Sequence, residues 1–336
     1  MRRFLETATR HLATIAVCSA LGLGTAAAAD YTMKFGTATV NEDQHQYIKF
    51  FKEELEKASG GKIAVEIYPQ SQLGNIQRHI EGLQLGTIEG FIGPADFYVG
   101  IEPRFGVFST PFLFRDRMHA AAVVADPALN EEVRKLAEAK GLVGLGVYAM
   151  AQHDYLGNQP FNTLADFKGK KIRVNATPLE RMAMDKLGAS AAPMSLGEVL
   201  PSLQRGVIDG TRSALSIFVS LKYNDVAKVV TVTNDTQIIP VAMVSKLWLD
   251  RLPPDLRKAV VESGLKAQQR NQEWANNFHK EMPGKWEAVG GKVQRLSADD
   301  QKKLTDLLKP VGDEVTKDNP PVRAMLDRVR ATAAKL

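Results

Sequence analysis

Residues 31–69 read YTMKFGTATVNEDQHQYIKFFKEELEKASGGKIAVEIYP. Apolar residues alternate with polar ones from Tyr31 to Phe35 and again from Ile63 to Ile67. Between these segments, apolar residues recur at spacings of three and four over Asn41–Ala58, and Gly60-Gly61 ends this helix. The strand–helix–strand order predicts a parallel sheet covered by helices.

The same alternation of strands and helices continues along the chain. A helix from Ile76 to about Gly86 precedes a strand over Ile88–Ile92. Further strands are predicted over Leu142–Met150, Lys171–Asn175, Val229–Thr233 and Val241–Ser245, and further helices over Leu179–Leu187, from Ser195 to Gln204 and from Pro253 to Ala288. Ser195 and Glu198 form a capping box. No internal repeat or linker interrupts the pattern, which predicts two α/β lobes joined by more than one crossing.

Composition narrows the class of protein. The 336 residues are 44% hydrophobic and 24% charged, which is typical of a soluble protein of two ordinary domains. No stretch after the first thirty residues is apolar over the roughly 20 residues of a membrane-spanning helix. The net charge is +5, and the 43 basic residues are scattered among 38 acidic ones, so no nucleic-acid partner is expected.

The first 29 residues resemble a secretory signal. Arg2 and Arg3 precede the apolar run Leu12–Gly24, and four alanines end at Ala29, after which cleavage is expected. A retained amphipathic anchor and a lipid on Cys18 are the alternatives. Cleavage removes the single cysteine, so it excludes a disulfide or thiolate metal site, and it lowers the net charge to +3 because three arginines and one glutamate leave.

Signals for catalysis are weak. The mature histidines have no metal-binding helical spacing; they are His45, His79, His119, His153 and His279. The sequence has no Gly-x-Ser-x-Gly elbow and no phosphate-binding loop. Gly144-x-Gly146-x-x-Ala149 lies inside a predicted strand, where a dinucleotide fingerprint does not function. These observations predict a protein without catalytic residues, metal or cofactor.

A series of motifs in one order is more informative. It comprises Gln70-Ser71-Gln72-Leu73-Gly74, Leu85-Gly86-Thr87, Thr110-Pro111-Phe112-Leu113-Phe114, the segment 164–174 (LADFKGKKIRV), Leu187-Gly188-Ala189, Pro193-Met194-Ser195, Gly197-Glu198-Val199 and the segment 203–210 (LQRGVIDG). This series resembles the solute-binding proteins of tripartite ATP-independent periplasmic (TRAP) transporters, in their dicarboxylate-binding (DctP-like) branch. The resemblance covers essentially the whole mature chain.

The resemblance implies a two-lobed periplasmic binding protein fold, type II-like, with mixed, mostly parallel sheets. One lobe would hold residues 30–150 and 239–278, and the other residues 151–238 and 279–336. The long helix after Pro253 would span both lobes. The implied function is a periplasmic receptor, expected to be monomeric, that captures a small organic acid in the cleft between the lobes and delivers it to a TRAP membrane permease.

Arg173, in Lys171-Ile172-Arg173-Val174, matches the carboxylate-binding arginine of this family. A guanidinium binds a carboxylate through two parallel hydrogen bonds, which a lysine does not reproduce. From the residue pattern alone, an ion pair at the surface would explain the arginine equally well.

Several neighbouring positions depart from the family pattern. Ser213 stands where the family has a ligand-contacting asparagine, Gln152 or His153 where a second arginine is expected, Leu196 where an aromatic residue is frequent, and Asp235 where a histidine is frequent. Arg212 would either add a second cation to the cleft or face solvent. With Asn175, at the end of the Arg173 strand, these residues form the predicted binding set. The departures favour a monocarboxylate with an aromatic or branched body over a sugar acid.

Two other functions remain open from sequence. A ligand-sensing protein that docks onto a receptor kinase would have the same features. An exported enzyme acting on a carboxylate would need a nucleophile–base pair or a metal cluster, and the sequence offers neither.

Overall fold

The computed structural model describes residues 29–175 and 177–336, so residues 1–28 of the predicted signal segment 1–29, with Cys18, lie outside the described residues. The strands of this part of the chain are β1 Tyr31–Thr37, β2 Ile63–Tyr68, β3 Gly90–Pro94, β4 Leu142–Val147, β5 Gln152–Gly157, β6 Lys171–Val174, β7 Ser190–Pro193, β8 Gly210–Ser213, β9 Val229–Gln237, β10 Pro240–Ser245 and β11 Lys292–Arg295.

The helices surround these strands. They are α1 Asp43–Ala58, α2 Ile76–Leu85, α3 Arg117–Ala125, α4 Pro127–Lys135, α5 Pro178–Lys186, α6 Leu196–Gln204, α7 Leu215–Ser220, α8 Lys246–Leu249, α9 Pro254–Ala288, α10 Ala298–Leu308, α11 Val311–Thr316 and α12 Pro320–Ala333. Short 3-10 turns lie at Ala95–Tyr98, Pro103–Ser109, Glu138–Lys140, Leu164–Phe167 and Tyr223–Asp225.

The strands form two mixed sheets. The first has the order β2-β1-β3-β10-β4, in which β10 runs antiparallel to both of its neighbours. The second has the order β11-β9-β5-β8-β6-β7, in which β5 runs antiparallel to β8 and β9. The other pairings are parallel, so the predicted mixed α/β architecture is confirmed.

Helix α9 joins the two sheets. It packs on α1 and on β4 of the first sheet, and also on α7 and on β11 of the second sheet. Strand β4 also packs closely on α4 and α1, and two of its glycines permit this. A Cβ on Gly144 would lie 2.5 Å from the Arg134 Cα of α4, and a Cβ on Gly146 would lie 2.8 Å from the Tyr47 hydroxyl of α1. These glycines therefore serve packing rather than a dinucleotide.

Most element boundaries agree with the sequence pattern, with instructive shifts. Helix α1 begins at Asp43 rather than Asn41, because Glu42 is the N-cap and its carboxylate accepts the backbone N–H groups of Gln44 and His45. The strand predicted over Leu142–Met150 ends at Val147, and the strand predicted over Ile88–Ile92 begins at Gly90. The capping box at Ser195 is confirmed.

The lobe boundaries given above remain a proposal. The chain crosses between the sheets after β4, after β9 and along α9. Helix α12 also packs on α3, α4 and the turn Pro103–Ser109, and His119 Nε2 lies 3.0 Å from the Ala333 carbonyl oxygen. We therefore propose that the C-terminal helix is a further bridge, returning from the second lobe to the first.

Candidate functional site

A narrow cavity lies where elements of the first sheet face those of the second. It has a volume of about 20 Å³ and is lined by Ala38, Thr39, Gln44, Pro94, Phe97, His153, Arg173, Asn175, Leu196, Ser213, Ile217 and Ile238. By this measure a water molecule needs about 10–15 Å³, so a larger molecule fits the cavity only when the two lobes move apart around it.

Arg173 is the only charged residue among the described residues that line this cavity. It lies on β6, between β7 and β8, and is 2% exposed. Its Nε donates a hydrogen bond of 3.1 Å to the Met194 carbonyl oxygen, whereas its buried Nη2 has no partner among the described residues. Burial lowers the pKa of Arg173 from its ordinary value. A buried guanidinium with a free end is a site for an anion.

Arg212, also buried, differs from Arg173 in its surroundings. It follows Thr211, the register partner of Arg173, and its own partner across the β5–β8 pair is Tyr155. Its guanidinium lies 3.5 Å from Asp235 Oδ2 and 3.9 Å from Glu180 Oε1. Burial alone would lower the pKa of Arg212, but the neighbouring Tyr155, Asp235 and Glu180 raise it above the ordinary value. Arg212 is therefore a charged member of a buried ionic cluster.

The carboxyl groups of this region are themselves perturbed. Burial raises the pKa of Glu180 to about 7, and burial also raises the pKa of Asp96. Asp96 belongs to the turn after β3, and its Oδ2 accepts a 3.0 Å hydrogen bond from Asn175 Nδ2 on the opposite lobe. Ser109 donates to the other Asp96 oxygen. Asp96 is thus a contact between the lobes beside the cavity.

His153 is a neutral imidazole in this cavity. It is 3% exposed, and burial followed by the charges of Arg212 and Arg173 lowers its pKa well below the ordinary value. Its Nδ1 lies 3.2 Å from Arg212 Nη2. A guanidinium only donates hydrogen bonds, so Nδ1 accepts and Nε2 carries the proton. His153 therefore supplies a neutral N–H donor.

The first lobe contributes a loop that Glu42 organises. Glu42 Oε1 accepts hydrogen bonds from the Thr39 hydroxyl and from the backbone N–H groups of Gln44 and His45. Burial, followed by the neighbouring Asp43, raises the pKa of Glu42 to about 7. These bonds fix the Thr39 side chain and the backbone at Gln44, and both residues line the cavity.

The residues predicted from sequence fall into two groups. Arg173, His153, Asn175, Leu196 and Ser213 line the cavity. Arg212 and Asp235 do not. Arg212 is 1% exposed and hydrogen-bonded, so the alternative that it faces solvent is wrong.

Gln152 lies in a different cavity, of about 250 Å³, together with Arg117, His279 and Arg295. Its predicted ligand contact is not supported by this placement.

Sequence reasoning missed the contribution of the first lobe. The missed residues of that lobe are Ala38, Thr39, Gln44, Pro94 and Phe97, and two residues of the second lobe, Ile217 and Ile238, were missed as well. A signal existed for some of them: Thr39 follows the carboxyl end of β1, and Pro94 ends β3. Ligands of open α/β sheets bind at the carboxyl ends of the strands.

The described residues contain no helix long and apolar enough to cross a membrane. Within the same residues, His, Cys, Asp and Glu side chains form no group of three or more that could hold a metal ion.

Comparison with known proteins places the chain in a family. The model of the bacterial extracellular solute-binding proteins, family 7 (DctP), matches residues 35–319. The C4-dicarboxylate-binding periplasmic protein DctP of Rhodobacter capsulatus is 32% identical over 277 residues, 79% of this chain and 80% of that protein. The 2,3-diketo-L-gulonate-binding periplasmic protein YiaO of Escherichia coli K12 is 29% identical over 296 residues, 88% of this chain and 83% of that protein.

Solved structures agree. A TRAP periplasmic solute-binding protein from Xanthobacter autotrophicus Py2, with bound β-D-galacturonate, is 26% identical, has a TM-score of 0.82 and covers 89% of this chain and 99% of its own. One from Sulfurospirillum deleyianum, with bound succinate, shares the fold with a TM-score of 0.84 at 23% identity, covering 90% of this chain and 99% of its own. The resemblance and the two-lobed fold predicted from sequence are thus confirmed, and the chain belongs to the bacterial extracellular solute-binding protein family 7.

Proposed function

We propose that this protein is a periplasmic receptor that captures an organic acid in the cavity between its lobes and delivers it to a TRAP membrane permease. The observation that carries the proposal is Arg173, a buried guanidinium whose Nη2 faces no protein acceptor. Relatives named for 2,3-diketo-L-gulonate and C4-dicarboxylates support a carboxylate ligand.

Arg173 would hold the carboxylate through its two terminal nitrogens, because its Nε already donates to Met194. Charge-assisted bonds of this kind are roughly twice as strong as neutral ones. The Nε2–H group of His153 and the hydroxyl of Ser213 line the same cavity and would donate to the ligand as well.

Binding and lobe closure would be coupled. Closing the lobes removes Arg173 from water, which costs free energy unless an anion accompanies it. Two hydrogen bonds then form across the cleft, from Asn175 Nδ2 to Asp96 Oδ2 at 3.0 Å and between Ser195 Oγ and Gln77 Oε1 at 3.1 Å. The ligand therefore shifts the equilibrium toward the closed form, and no covalent bond is made or broken.

A thermal-shift screen of residues 30–336 against a panel of organic acids tests the proposal. The panel contains acetate, benzoate, galacturonate, malonate, succinate, 3-methylbutanoate and 4-methylpentanoate, among several hundred others. A ligand at 100 times its Kd adds about 2.7 kcal/mol of stability. We expect at least one carboxylate to bind near one per chain by calorimetry and to be recovered chemically unchanged. Binding by no acid would contradict a carboxylate receptor, and turnover beyond the amount of protein would indicate an enzyme.

We also propose that the exported protein begins at Asp30 and is monomeric. The Ala27-x-Ala29 sequence before Asp30 supports the cleavage site. Mass spectrometry of protein from the periplasm of a Gram-negative host should give the mass of residues 30–336, and light scattering should give the mass of one chain. A lipid-modified Cys18 at the N-terminus would contradict the first expectation, and a dimer mass the second.

A further inference from the structure

The side chains that line the cavity suggest the kind of acid that it accepts. This inference rests on the proposed function and specifies its substrate class. Half of the described lining residues are apolar; they are Ala38, Pro94, Phe97, Leu196, Ile217 and Ile238. Five others are neutral and polar, and Arg173 alone is charged. The cavity thus offers one cation and an apolar wall.

The second buried guanidinium is not free for a ligand. Arg212 lies 3.5 Å from Asp235 and 3.9 Å from Glu180, and it does not line the cavity. Its Nη2 also bonds Thr236 and His153. A ligand with two carboxylates would therefore find a cation for the first one and none for the second. A charge buried without a partner is strongly disfavoured.

A longer ligand would extend into the groove that adjoins the cavity. This groove, of about 360 Å³, shares Phe97 and Asn175 with the cavity. Its lining includes Gln77 and Met194, and Asp96 is its only charged residue among those described. Asp96 is 6% exposed and held in place by Asn175 and Ser109. A second carboxylate that reached this groove would meet the fixed carboxyl group of Asp96.

We propose that the cavity selects acids with a single carboxylate and an apolar body, and that Asp96 rejects ligands with a second carboxylate. Phe97, which borders both the cavity and the groove, contacts the apolar body. Arg173 sets the orientation of the ligand, because it is the only cation in the cavity with which a carboxylate can form an ion pair.

Isosteric acids test this selectivity directly. Succinate and 4-methylpentanoate differ in one end group, a carboxylate against an isopropyl group, and malonate and 3-methylbutanoate differ in the same way. We expect calorimetry at pH 7.5 to show the monoacid of each pair binding at least tenfold tighter than the diacid. Diacid binding as tight as that of the monoacid, or galacturonate as the tightest ligand of the panel, would overturn the inference.

The Asp96→Asn variant isolates the role of Asp96, because asparagine keeps an oxygen for the Asn175 bond and loses the charge. The ratio of succinate affinity to 4-methylpentanoate affinity should rise at least threefold in this variant, since any change in lobe closure affects both acids alike. Glu89→Gln is the matched control: Glu89 is a buried carboxylate of the first lobe that bonds Lys34 and does not line the cavity. An unchanged succinate to 4-methylpentanoate ratio in Asp96→Asn would refute the role of Asp96.

Failure of this inference is distinguishable from failure of the proposed function. If no acid of the panel binds, the receptor function itself is wrong. If acids bind through Arg173 but the diacids match the monoacids, the receptor stands and only the selectivity is wrong.

Discussion

Replacing Arg173 by alanine should remove most of the affinity for the best acid of the panel. In the closed protein this change leaves the ligand carboxylate in a cavity with no other cation among its described lining residues. Truncating one partner of a buried, hydrogen-bonded charge pair costs about 2–5 kcal/mol. Each 1.4 kcal/mol is tenfold in affinity, so Kd should rise by roughly 30-fold to several thousand-fold. Isothermal titration calorimetry measures the change.

The fold should survive this substitution. Arg173 makes one hydrogen bond, to the Met194 carbonyl oxygen, and burial already disfavours its charge. The unfolding transition followed by circular dichroism should therefore remain cooperative. Arg205→Ala is the matched control, since Arg205 is an exposed arginine of the same lobe that bonds only the Pro201 carbonyl. Its Kd should stay within twofold of wild type.

Two further measurements separate geometry from charge. Arg173→Lys should recover part of the lost affinity, because an ammonium keeps the charge but not the two parallel hydrogen bonds. The methyl ester of the acid should bind the wild type about as poorly as the acid binds Arg173→Ala. If Arg173→Ala binds the acid within threefold of wild type, the carboxylate does not bind at Arg173 and the reasoning is refuted.

The remaining predictions concern stability. Arg212→Met should destabilise the fold by about 3–5 kcal/mol in urea unfolding, because it leaves two buried carboxyl groups without their cation; unchanged stability would contradict a structural role. Burial raises the pKa of Asp154 to about 7, so the folded state gains stability as the pH falls from about 7 toward 4. Asp154→Asn lacks this titrating group, so the wild type should gain roughly 2–3 kcal/mol of unfolding free energy over the variant between pH 8 and pH 5. A stability difference that does not change with pH would contradict the raised pKa of Asp154. Gly264→Ala should destabilise by about 1–3 kcal/mol because its Cβ would lie 2.5 Å from the Leu145 carbonyl oxygen. In the same helix a Cβ at Gly284 would have no atom within 4 Å, so Gly284→Ala should stabilise the protein by about 0.5–1 kcal/mol. A loss of stability in Gly284→Ala would show that close packing is not the cause of the loss in Gly264→Ala.

The elements found from sequence are those with one apolar face. In β1, Met33 and Phe35 are fully buried while Thr32 and Lys34 are not, and α1 buries a stripe of the same kind. The 35 residues of α9 were also predictable, because its charged face repeats at helical spacing and Pro283 does not end it.

Strands β5 and β8 escaped prediction for an identifiable physical reason. They read QHDYLG and GTRS, and all their residues from His153 and Gly210 onward are buried. Neither alternates apolar and polar residues, because both faces of these strands are covered. Arg212 becomes tolerable in the interior only when the fold brings it Glu180 and Asp235 from other parts of the chain, whereas Asp154 bonds Gln152 of its own strand.

The part of the candidate site that the second lobe contributes was largely predictable from sequence. Arg173, Asn175, Leu196 and Ser213 lie near motifs that the sequence displays, whereas Phe97 comes from a turn more than seventy residues away from Arg173. A local pattern contains no information on which distant turn closes over a strand. Sequence reasoning therefore identified the part of the cavity around Arg173 better than the wall that Phe97 contributes.

Arg173 and Arg212 show why burial alone does not identify a binding residue. Both are arginines on neighbouring strands, and both are almost completely buried. Around Arg212 two carboxyl groups and a histidine are already in place, so an anion would gain little there. Both guanidinium groups retain buried nitrogens without a hydrogen-bond partner, but Arg173 bonds only one neutral carbonyl and lines the cavity, so an anion that enters there would supply the charge partner that Arg212 already has. The different numbers of carboxyl groups around two equally buried arginines are therefore our reason for proposing that Arg212 stabilises its lobe and that Arg173 couples a ligand to closure.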